Sequence, residues 1–185
     1  MSEQKIYLVP IGSIKKEILD NLRDDLTRIY TASIDIIPER PIPLLAYDSK
    51  RKQYNSSIIL EELISKIRIA KDNQRVLGIL DVDLYAGDLN FVFGQAQINE
   101  GFCVISITRL RQEFYGLPKD EDLFRLRVLK EAVHELGHTY GLGHCQKPKC
   151  VMHFSNSLLD TDIKDYRFCP VCKERIKEWL CNLEH

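Results

Sequence analysis

The segment from His134 to His144 constrains the fold of this chain more than any other feature. It reads HELGHTYGLGH, in which three histidines follow the pattern HExxHxxGxxH. His134 and His138 are four residues apart, so a helix would place both imidazoles on one face, where they can share a zinc ion. We therefore predict a helix that ends near Gly141, because a continuing helix would turn His144 away from the metal.

Two further residues complete this pattern. A glycine such as Gly141 accepts the left-handed backbone that ends a helix and reverses the chain. Glu135 is rotated by about 100° from His134 around the helix, so it is badly placed to be a ligand but well placed to reach a zinc-bound water. Two histidines at this spacing could reflect coincidence or the polarity of a helix face, but Glu135 and His144 strongly favour a metal site.

The same residues predict a hydrolytic mechanism. Zinc lowers the pKa of its bound water to about 7 and polarises a carbonyl group. Glu135 would take the water proton as a general base and pass it to the leaving amine as an acid. We therefore expect His134, His138 and His144 to be the ligands of a catalytic zinc ion, with the fourth position open for water and substrate.

Length, composition and charge narrow the remaining possibilities. The chain has 185 residues, which suits a single globular domain, and its net charge of −1 gives no indication of a nucleic-acid or acidic-lipid surface. Its first residues lack the features of a signal peptide, and no apolar run is long enough to cross a bilayer. We therefore expect a monomer in the cytoplasm with no nucleic-acid or membrane partner.

Four of the six cysteines form two closely spaced pairs. Cys145-x4-Cys150 and Cys169-x2-Cys172 are typical of a structural zinc site that is closed by four thiolates. A reducing compartment favours this interpretation over two disulfides or a redox-active cysteine pair. A nucleic-acid zinc finger is a further alternative, but the chain lacks a basic helix with base-reading residues.

Hydrophobic periodicity predicts the order β-α-β-α-β-β-β-α followed by a cysteine-rich tail. The predicted strands are Lys5–Ile11, Ile34–Ile37, Val76–Leu80, Asn90–Ile98 and Cys103–Ile107. The predicted helices are one that begins after a cap at Ser13, and three others at about Ser57–Ala70, Glu121–Tyr140 and Lys173–Leu183. This order indicates an α/β (α+β-like) domain with a mixed twisted sheet, in which residues 1–143 hold the sheet and active-site helix and residues 144–185 hold the third histidine and the cysteines.

Four other residues have structural interpretations. Cys103 lies in a predicted apolar strand and Cys181 in the last predicted helix, so both are interpreted as core thiols. Asp81 and Asp83 follow a buried strand and could suggest another metal site. Acids at strand ends and turns are more often structural, which is the interpretation we prefer.

Together, these motifs resemble the archaemetzincins, a branch of the metzincin metalloproteases. The resemblance rests on HExxHxxGxxH followed at once by Cys145, then by Cys150-Val151-Met152 and Cys169-Pro170-Val171-Cys172. Asp83-Leu84 followed by Asn90-Phe91-Val92-Phe93-Gly94 is similar to the strand region that precedes the active-site helix in this family. We therefore expect a metzincin-like zinc metallopeptidase with a peptide or protein substrate and two zinc ions per chain, one catalytic and one structural.

The resemblance implies roles for residues near the metal. Met152 would be the Met-turn methionine, an apolar floor beneath the three histidines, although an ordinary core methionine is the alternative. Asn90–Ile98 would be the edge strand to which an extended peptide adds, although an ordinary edge strand fits the sequence equally well. In some metzincins a Met-x-Tyr sequence places a phenol near the metal, but here that position is Phe154. Either another donor replaces the phenol or hydrolysis is weak; His153 is a candidate donor or simply a packed histidine.

Two other functional classes compete with the peptidase. A zinc-stabilised peptide-binding module with little turnover would be consistent with Phe154. A cysteine-rich interaction domain would explain the tail but would leave the helix motif unused. The presence of Glu135 favours the enzyme, since a binding module has no need of a general base.

Overall fold

Eight strands and five α-helices occur in residues 4–70 and 73–181, the part of the chain that this computed structural model describes. The strands are β1 (Lys5–Ile11), β2 (Ser33–Ile36), β3 (Tyr47–Asp48), β4 (Gln53–Asn55), β5 (Gln74–Leu80), β6 (Leu84–Tyr85), β7 (Gly94–Gln97) and β8 (Phe102–Ser106). The helices are α1 (Lys16–Tyr30), α2 (Ser56–Lys66), α3 (Glu121–Thr139), α4 (Leu158–Ile163) and α5 (Pro170–Cys181). The side chain of Cys181 and the predicted end of the last helix at Leu183 lie outside the described residues.

The main sheet has five strands in the order β2-β1-β5-β8-β7. The first four are parallel, and β7 pairs antiparallel with β8 at the edge. Helices α1 and α3 pack on one face, where Leu77, Ile79 and Ile105 are fully buried, and α2 packs on the other. Burial on both faces explains the nearly continuous apolar runs of β1, β5 and β8, so the predicted mixed α/β class is confirmed.

The first helix begins later than the sequence suggests. The sequence predicts a cap at Ser13, but α1 begins at Lys16 and is preceded by Lys15, whose side chain makes no capping bond. The chain first turns at Gly12, where φ is +74°, and the carbonyl of Lys15 then accepts from Ile18 and Leu19. The prediction of the cap is therefore wrong, because the turn after β1 moves the helix start towards the C-terminus.

Most other predicted elements differ from the observed ones by one or two residues at their ends, and three differ in ways that bear on the site. Helix α2 stops at Lys66 because Ile67 has an extended backbone, and its cap is Asn55, whose side chain accepts from two backbone N–H groups. The predicted strand Asn90–Ile98 is reduced to β7, preceded by a single bridge between Leu84 and Val92. Helix α5 begins at Pro170, so Cys172 lies in its first turn.

The sequence did not predict α4 or the small sheet of β3, β4 and β6. These elements are too short for a hydrophobic period to be visible. Asp81 and Asp83 lie beside this small sheet, and both are paired with arginines: Asp83 makes a bidentate pair with Arg109, and Asp81 contacts Arg111 at 2.6 Å. This finding supports their structural interpretation.

Candidate active site and metal centres

Helix α3 positions the first two histidines. The side chain of Asp120 caps the helix by accepting from the N–H of Leu123, and the following turns run through the core. His134 and His138 lie one turn apart near the C-terminal end, with their Nε2 atoms 3.1 Å from each other. The helical spacing therefore brings two imidazoles together, as the sequence predicts.

Gly141 reverses the chain after α3. Its φ is +77°, and its N–H donates to the carbonyl of His138 at 2.9 Å. The N–H of Leu142 donates to the carbonyl of Gly137 at 3.2 Å, which completes a Schellman motif. The reversal places the ring of His144 with its centroid 5.4 Å from that of His134 and 4.9 Å from that of His138.

Backbone carbonyls orient two of the imidazoles. Nδ1 of His134 lies 2.7 Å from the carbonyl oxygen of Val151, and Nδ1 of His138 lies 2.7 Å from that of Leu142. Because a carbonyl can only accept, each Nδ1 carries the proton, and the Nε2 lone pairs face the common centre. One nitrogen from each of His134, His138 and His144 lies within 4.8 Å of the others. This donor set fits a zinc ion with an open coordination position.

Burial disfavours the charged form of these imidazoles, most strongly at the buried His134 and least at His144, which is exposed. Burial is the largest cause that lowers the pKa of His134, His138 and His144, with a smaller contribution from the positive charge of Lys164. The hydrogen bonds to the carbonyls of Val151 and Leu142 oppose the decrease without reversing it. Neutral imidazole is the form that binds zinc, so the electrostatics and the geometry of the site agree.

Glu135 lines the same cleft as the three histidines and packs against Gly94 of β7. Its pKa is raised to about 8, chiefly by burial and to a smaller extent by the negative charge of Glu131, while Lys164 acts in the opposite direction. A cation among the three histidines would also lower this pKa, because it favours the carboxylate. The residue is therefore a buried carboxyl group whose charge depends on its neighbours.

A cleft of about 490 Å³ contains these residues. The chain from Phe91 to Ala96 forms one wall, and Phe154, Ser155 and Asn156 form part of the other. Its floor includes the three histidines, Glu135 and Lys164. A larger cavity of about 700 Å³, between α1 and the start of α3, contains none of the predicted site residues.

The segment after His144 packs under α3. Met152 is fully buried. A Cβ atom on Gly137 would overlap its sulfur, so the methionine can pack against α3 because position 137 has no side chain. The N–H of Cys145 donates to the carbonyl of Met152 at 2.9 Å. Nδ1 of His153 lies 2.8 Å from the carbonyl oxygen of Cys145, so that histidine is engaged there rather than in the cleft. The ring of Phe154 is 4.8 Å from that of His144.

The four clustered cysteines also converge. The Sγ atoms of Cys145, Cys150, Cys169 and Cys172 all lie within 4.8 Å of one another, and none of them is in a disulfide. Burial opposes ionisation of Cys169, but the backbone N–H of Cys172 and the three other thiols outweigh it and lower its pKa to about 7. The N–H of Cys169 donates to Sγ of Cys150 at 3.3 Å. Four thiols in such a group fit a tetrahedral zinc site.

Sequence reasoning missed a buried polar network between α3 and α4. Arg127 forms a bidentate pair with Asp162, and Oγ1 of Thr161 donates to Oε1 of Glu131 at 3.1 Å. Nζ of Lys164 lies 3.0 Å from the same Glu131 oxygen. Arg127, Lys130 and Glu131 are charged residues within the buried part of α3, and charged residues at such positions indicate that this face needs polar partners.

Comparisons with known proteins identify the family. The family model described as peptidase family M54 matches residues 3–178. The chain belongs to peptidase family M54. The archaemetzincin of Methanocaldococcus jannaschii is 42% identical over 174 residues, which cover 94% of this chain and 93% of that protein.

Two solved structures share the fold. One is the crystal structure of the archaemetzincin from Archaeoglobus fulgidus complexed with malonate, with a TM-score of 0.80, 37% identity, and coverage of 93% of this chain and 99% of that one. The other, of a zinc-dependent peptidase from Methanocorpusculum labreanum, has a TM-score of 0.84, 28% identity, and coverage of 92% and 99%. The expected archaemetzincin family, metzincin-like α/β fold and zinc metallopeptidase class are thereby confirmed.

Proposed function

We propose that this M54 chain hydrolyses peptide bonds with a zinc ion held by His134, His138 and His144 and with Glu135 as the general base. The convergence of three imidazoles beside a buried carboxyl group, in one cleft, is the observation that carries this proposal. We also propose a structural zinc ion at Cys145, Cys150, Cys169 and Cys172, so that each chain holds two.

The residues of the cleft account for each proton in the reaction. When bound, zinc would supply an activated water molecule and polarise the substrate carbonyl. Glu135 accepts one proton from the water as the water oxygen bonds to the carbonyl carbon. The C–N bond then breaks, and Glu135 returns the proton to the leaving nitrogen, which yields a carboxylic acid and an amine. The carboxylate form of Glu135 is needed at the start, and a cation beside it favours that form.

The free edge of β7 suits an extended substrate. Strand β7 is the last strand of the main sheet, and among the described residues no further strand pairs with its outer side. The cleft lies along Gly94, Gln95 and Ala96 of this strand. A peptide that adds here as another strand would gain backbone hydrogen bonds while its scissile carbonyl lies near the three histidines.

The two parts of the chain support one site. We propose that residues 1–143 and 144–185 act as a single domain in which the second part positions the first. The carbonyl of Val151 orients His134, and Asp162 pairs with Arg127 of α3. Met152, packed against Gly137, would be the apolar floor of the metal site.

The partners and the location of the enzyme follow from fewer observations. Across residues 4–70 and 73–181, no helix combines the length and apolar character that a bilayer span requires. A peptide or protein is the proposed partner. The cytoplasmic location, the monomeric state and the absence of nucleic-acid and membrane partners stay predictions.

The position of Phe154 favours one alternative. Its ring stands beside His144 in the cleft and offers no hydroxyl group to a developing oxyanion. A zinc-stabilised module that binds peptides with little turnover would need no such donor.

Digestion of a peptide library by zinc-loaded protein, with product identification by mass spectrometry, tests the proposal. We expect cleavage that stops on chelation and returns when zinc is added. A protein that cleaves no peptide, yet binds peptides in a zinc-dependent way, would establish the binding module instead. A protein that does neither would remove both functions.

A further inference from the structure

Lys164 is a buried cation inside the catalytic cleft. It follows α4, its side chain is 0% exposed, and it nevertheless lines the cleft beside the three histidines. Nζ lies 3.0 Å from Oε1 of Glu131, which is itself only 3% exposed. Despite this ion pair, Nζ makes no hydrogen bond of good geometry within the described part of the chain. An ammonium group has three protons to donate, so this one has capacity left for a ligand.

Lys164 lines the same cleft as the three histidines and Glu135. After burial, its positive charge is among the causes that lower the pKa of His134, His138 and His144, and it also lowers that of Glu135. Among the described residues that line the cleft, it is the one lysine or arginine. A negative charge that develops in this cleft would therefore have one side-chain cation as its partner.

We propose that Lys164 is a catalytic residue whose ammonium group donates a hydrogen bond to the carbonyl oxygen of the scissile bond as that oxygen gains negative charge. This inference rests on the proposed peptidase function. As the water oxygen bonds to the carbonyl carbon, the C=O π electron pair moves onto the carbonyl oxygen. The pair returns when the C–N bond breaks. Lys164 keeps its protons throughout, so the proton balance through Glu135 is unchanged.

The surroundings of Lys164 prepare it for this role. Glu131 balances the charge in the resting protein, and its carboxylate is fixed by the hydrogen bond from Thr161. A donor that is held in place before the reaction pays little reorganisation cost when charge develops. Oγ of Ser155 is another buried cleft atom without a partner, but a neutral hydroxyl is a weaker donor to an anion than an ammonium group. The side chain of Phe154 has no hydrogen-bond donor.

The test uses a double variant and a matched control. Lys164→Met alone would leave Glu131 charged and unpaired in the interior, which can prevent folding. The variant is therefore Lys164→Met with Glu131→Gln. The control is Lys130→Met, since Lys130 is another buried lysine of the same network, donates to the carbonyls of Thr161 and Asp162, and does not line the cleft.

Rates are measured on the best peptide from the library, with zinc content and melting temperature determined for each protein. We expect the double variant to keep its zinc and to lose about 10²–10³-fold in kcat with little change in KM, the loss typical of one oxyanion donor. Lys130→Met should lower the melting temperature and keep a kcat close to that of the parent. A parent-like kcat in the double variant, or an equal loss in Lys130→Met, would overturn the proposal.

Binding provides a second measurement that does not depend on turnover. A phosphinic peptide presents a tetrahedral centre with an anionic oxygen, whereas the matched reduced-amide peptide lacks the oxygen. By calorimetry, the double variant should bind the phosphinic peptide much more weakly than the parent does and the reduced amide equally well. Parent-like affinity for the phosphinic peptide would contradict the proposal. If the parent cleaves nothing, the peptidase function fails, but this comparison still decides the role of Lys164.

Discussion

Gly94 and Glu135 are in direct contact across the cleft wall. A Cβ atom on Gly94 would lie 2.6 Å from Cγ and 2.8 Å from Cδ of Glu135. It would also lie 2.7 Å from the carbonyl oxygen of Val104, which belongs to the neighbouring strand β8 and cannot easily move. The glycine at the start of β7 thus leaves the space that the proposed general base occupies.

Gly94→Ala should therefore displace the carboxyl group of Glu135. A misplacement of about 1 Å can cost about 10²-fold in rate, so we expect a decrease in kcat of that order with zinc retained. Kinetics on the best library peptide and elemental analysis would check this. Gly143→Ala is the control, because a Cβ atom there meets nothing within 4 Å. Equal kinetics for Gly94→Ala and the parent would mean that the contact does not position Glu135.

The two proposed zinc ions should differ in lability. The histidine site opens into the cleft, whereas the cysteine site is closed by four thiolates, so mild chelation should remove the first ion before the second. Elemental analysis after timed exposure to a chelator measures this difference. One zinc ion per chain in the untreated protein, or loss of both ions at one rate, would contradict the assignment.

Loss of one thiolate should destabilise the C-terminal part. Binding of a structural zinc ion contributes about 10–16 kcal/mol in small zinc domains, and that energy is available only to the folded chain. Cys172→Ser should therefore lose zinc from the cysteine site and lower the melting temperature strongly. Cys103→Ala, which removes a buried thiol that lies outside the cluster, should keep both zinc ions. An unchanged melting temperature for Cys172→Ser would mean that this thiol holds no structural metal.

Alkaline pH should weaken the packing of α1 on α3. Burial raises the pKa of Tyr30 well above its usual 10.0, and its hydroxyl donates to the carbonyl of Val133 at 3.0 Å. Since the folded pKa is raised, the neutral phenol stabilises the fold below pH 10, and this contribution is lost as pH rises further. Tyr30→Phe should cost about 1 kcal/mol near neutral pH through the lost hydrogen bond.

The same substitution should reduce the alkaline decrease in stability. Tyr140, whose pKa burial raises to about 12, would account for part of what remains. Melting curves near neutral pH and above pH 10 measure the effect. An equally steep alkaline decrease in Tyr30→Phe and the parent would show that Tyr30 does not titrate with unfolding.

The residues that could be predicted from sequence are those whose positions depend on local geometry. His134 and His138 converge because they are one helical turn apart, and His144 follows because Gly141 adopts a left-handed backbone. Strand β1 has the predicted bounds because its apolar run is continuous. Each pattern lies within a few residues, so no knowledge of the tertiary structure is needed.

Other features depend on tertiary contacts that no local pattern encodes. Lys164 reaches the cleft only because α4 packs on α3, and that packing depends on pairs such as Arg127 with Asp162 that join distant parts of the chain. Helix α4 is a single short helix without a visible period. The error at Ser13 has a similar cause, since the turn after β1 is set by how α1 must approach the sheet.

The rate and the zinc content of one Glu135→Ala sample test the central claim most directly. Glu135 is proposed to move protons and not to bind metal, so the variant should hold two zinc ions per chain and lose about 10²–10⁴-fold in kcat. His138→Ala, assayed in parallel, should lose zinc from the histidine site as well as activity. If zinc-replete Glu135→Ala cleaves the best peptide as fast as the parent, the proposed mechanism is contradicted.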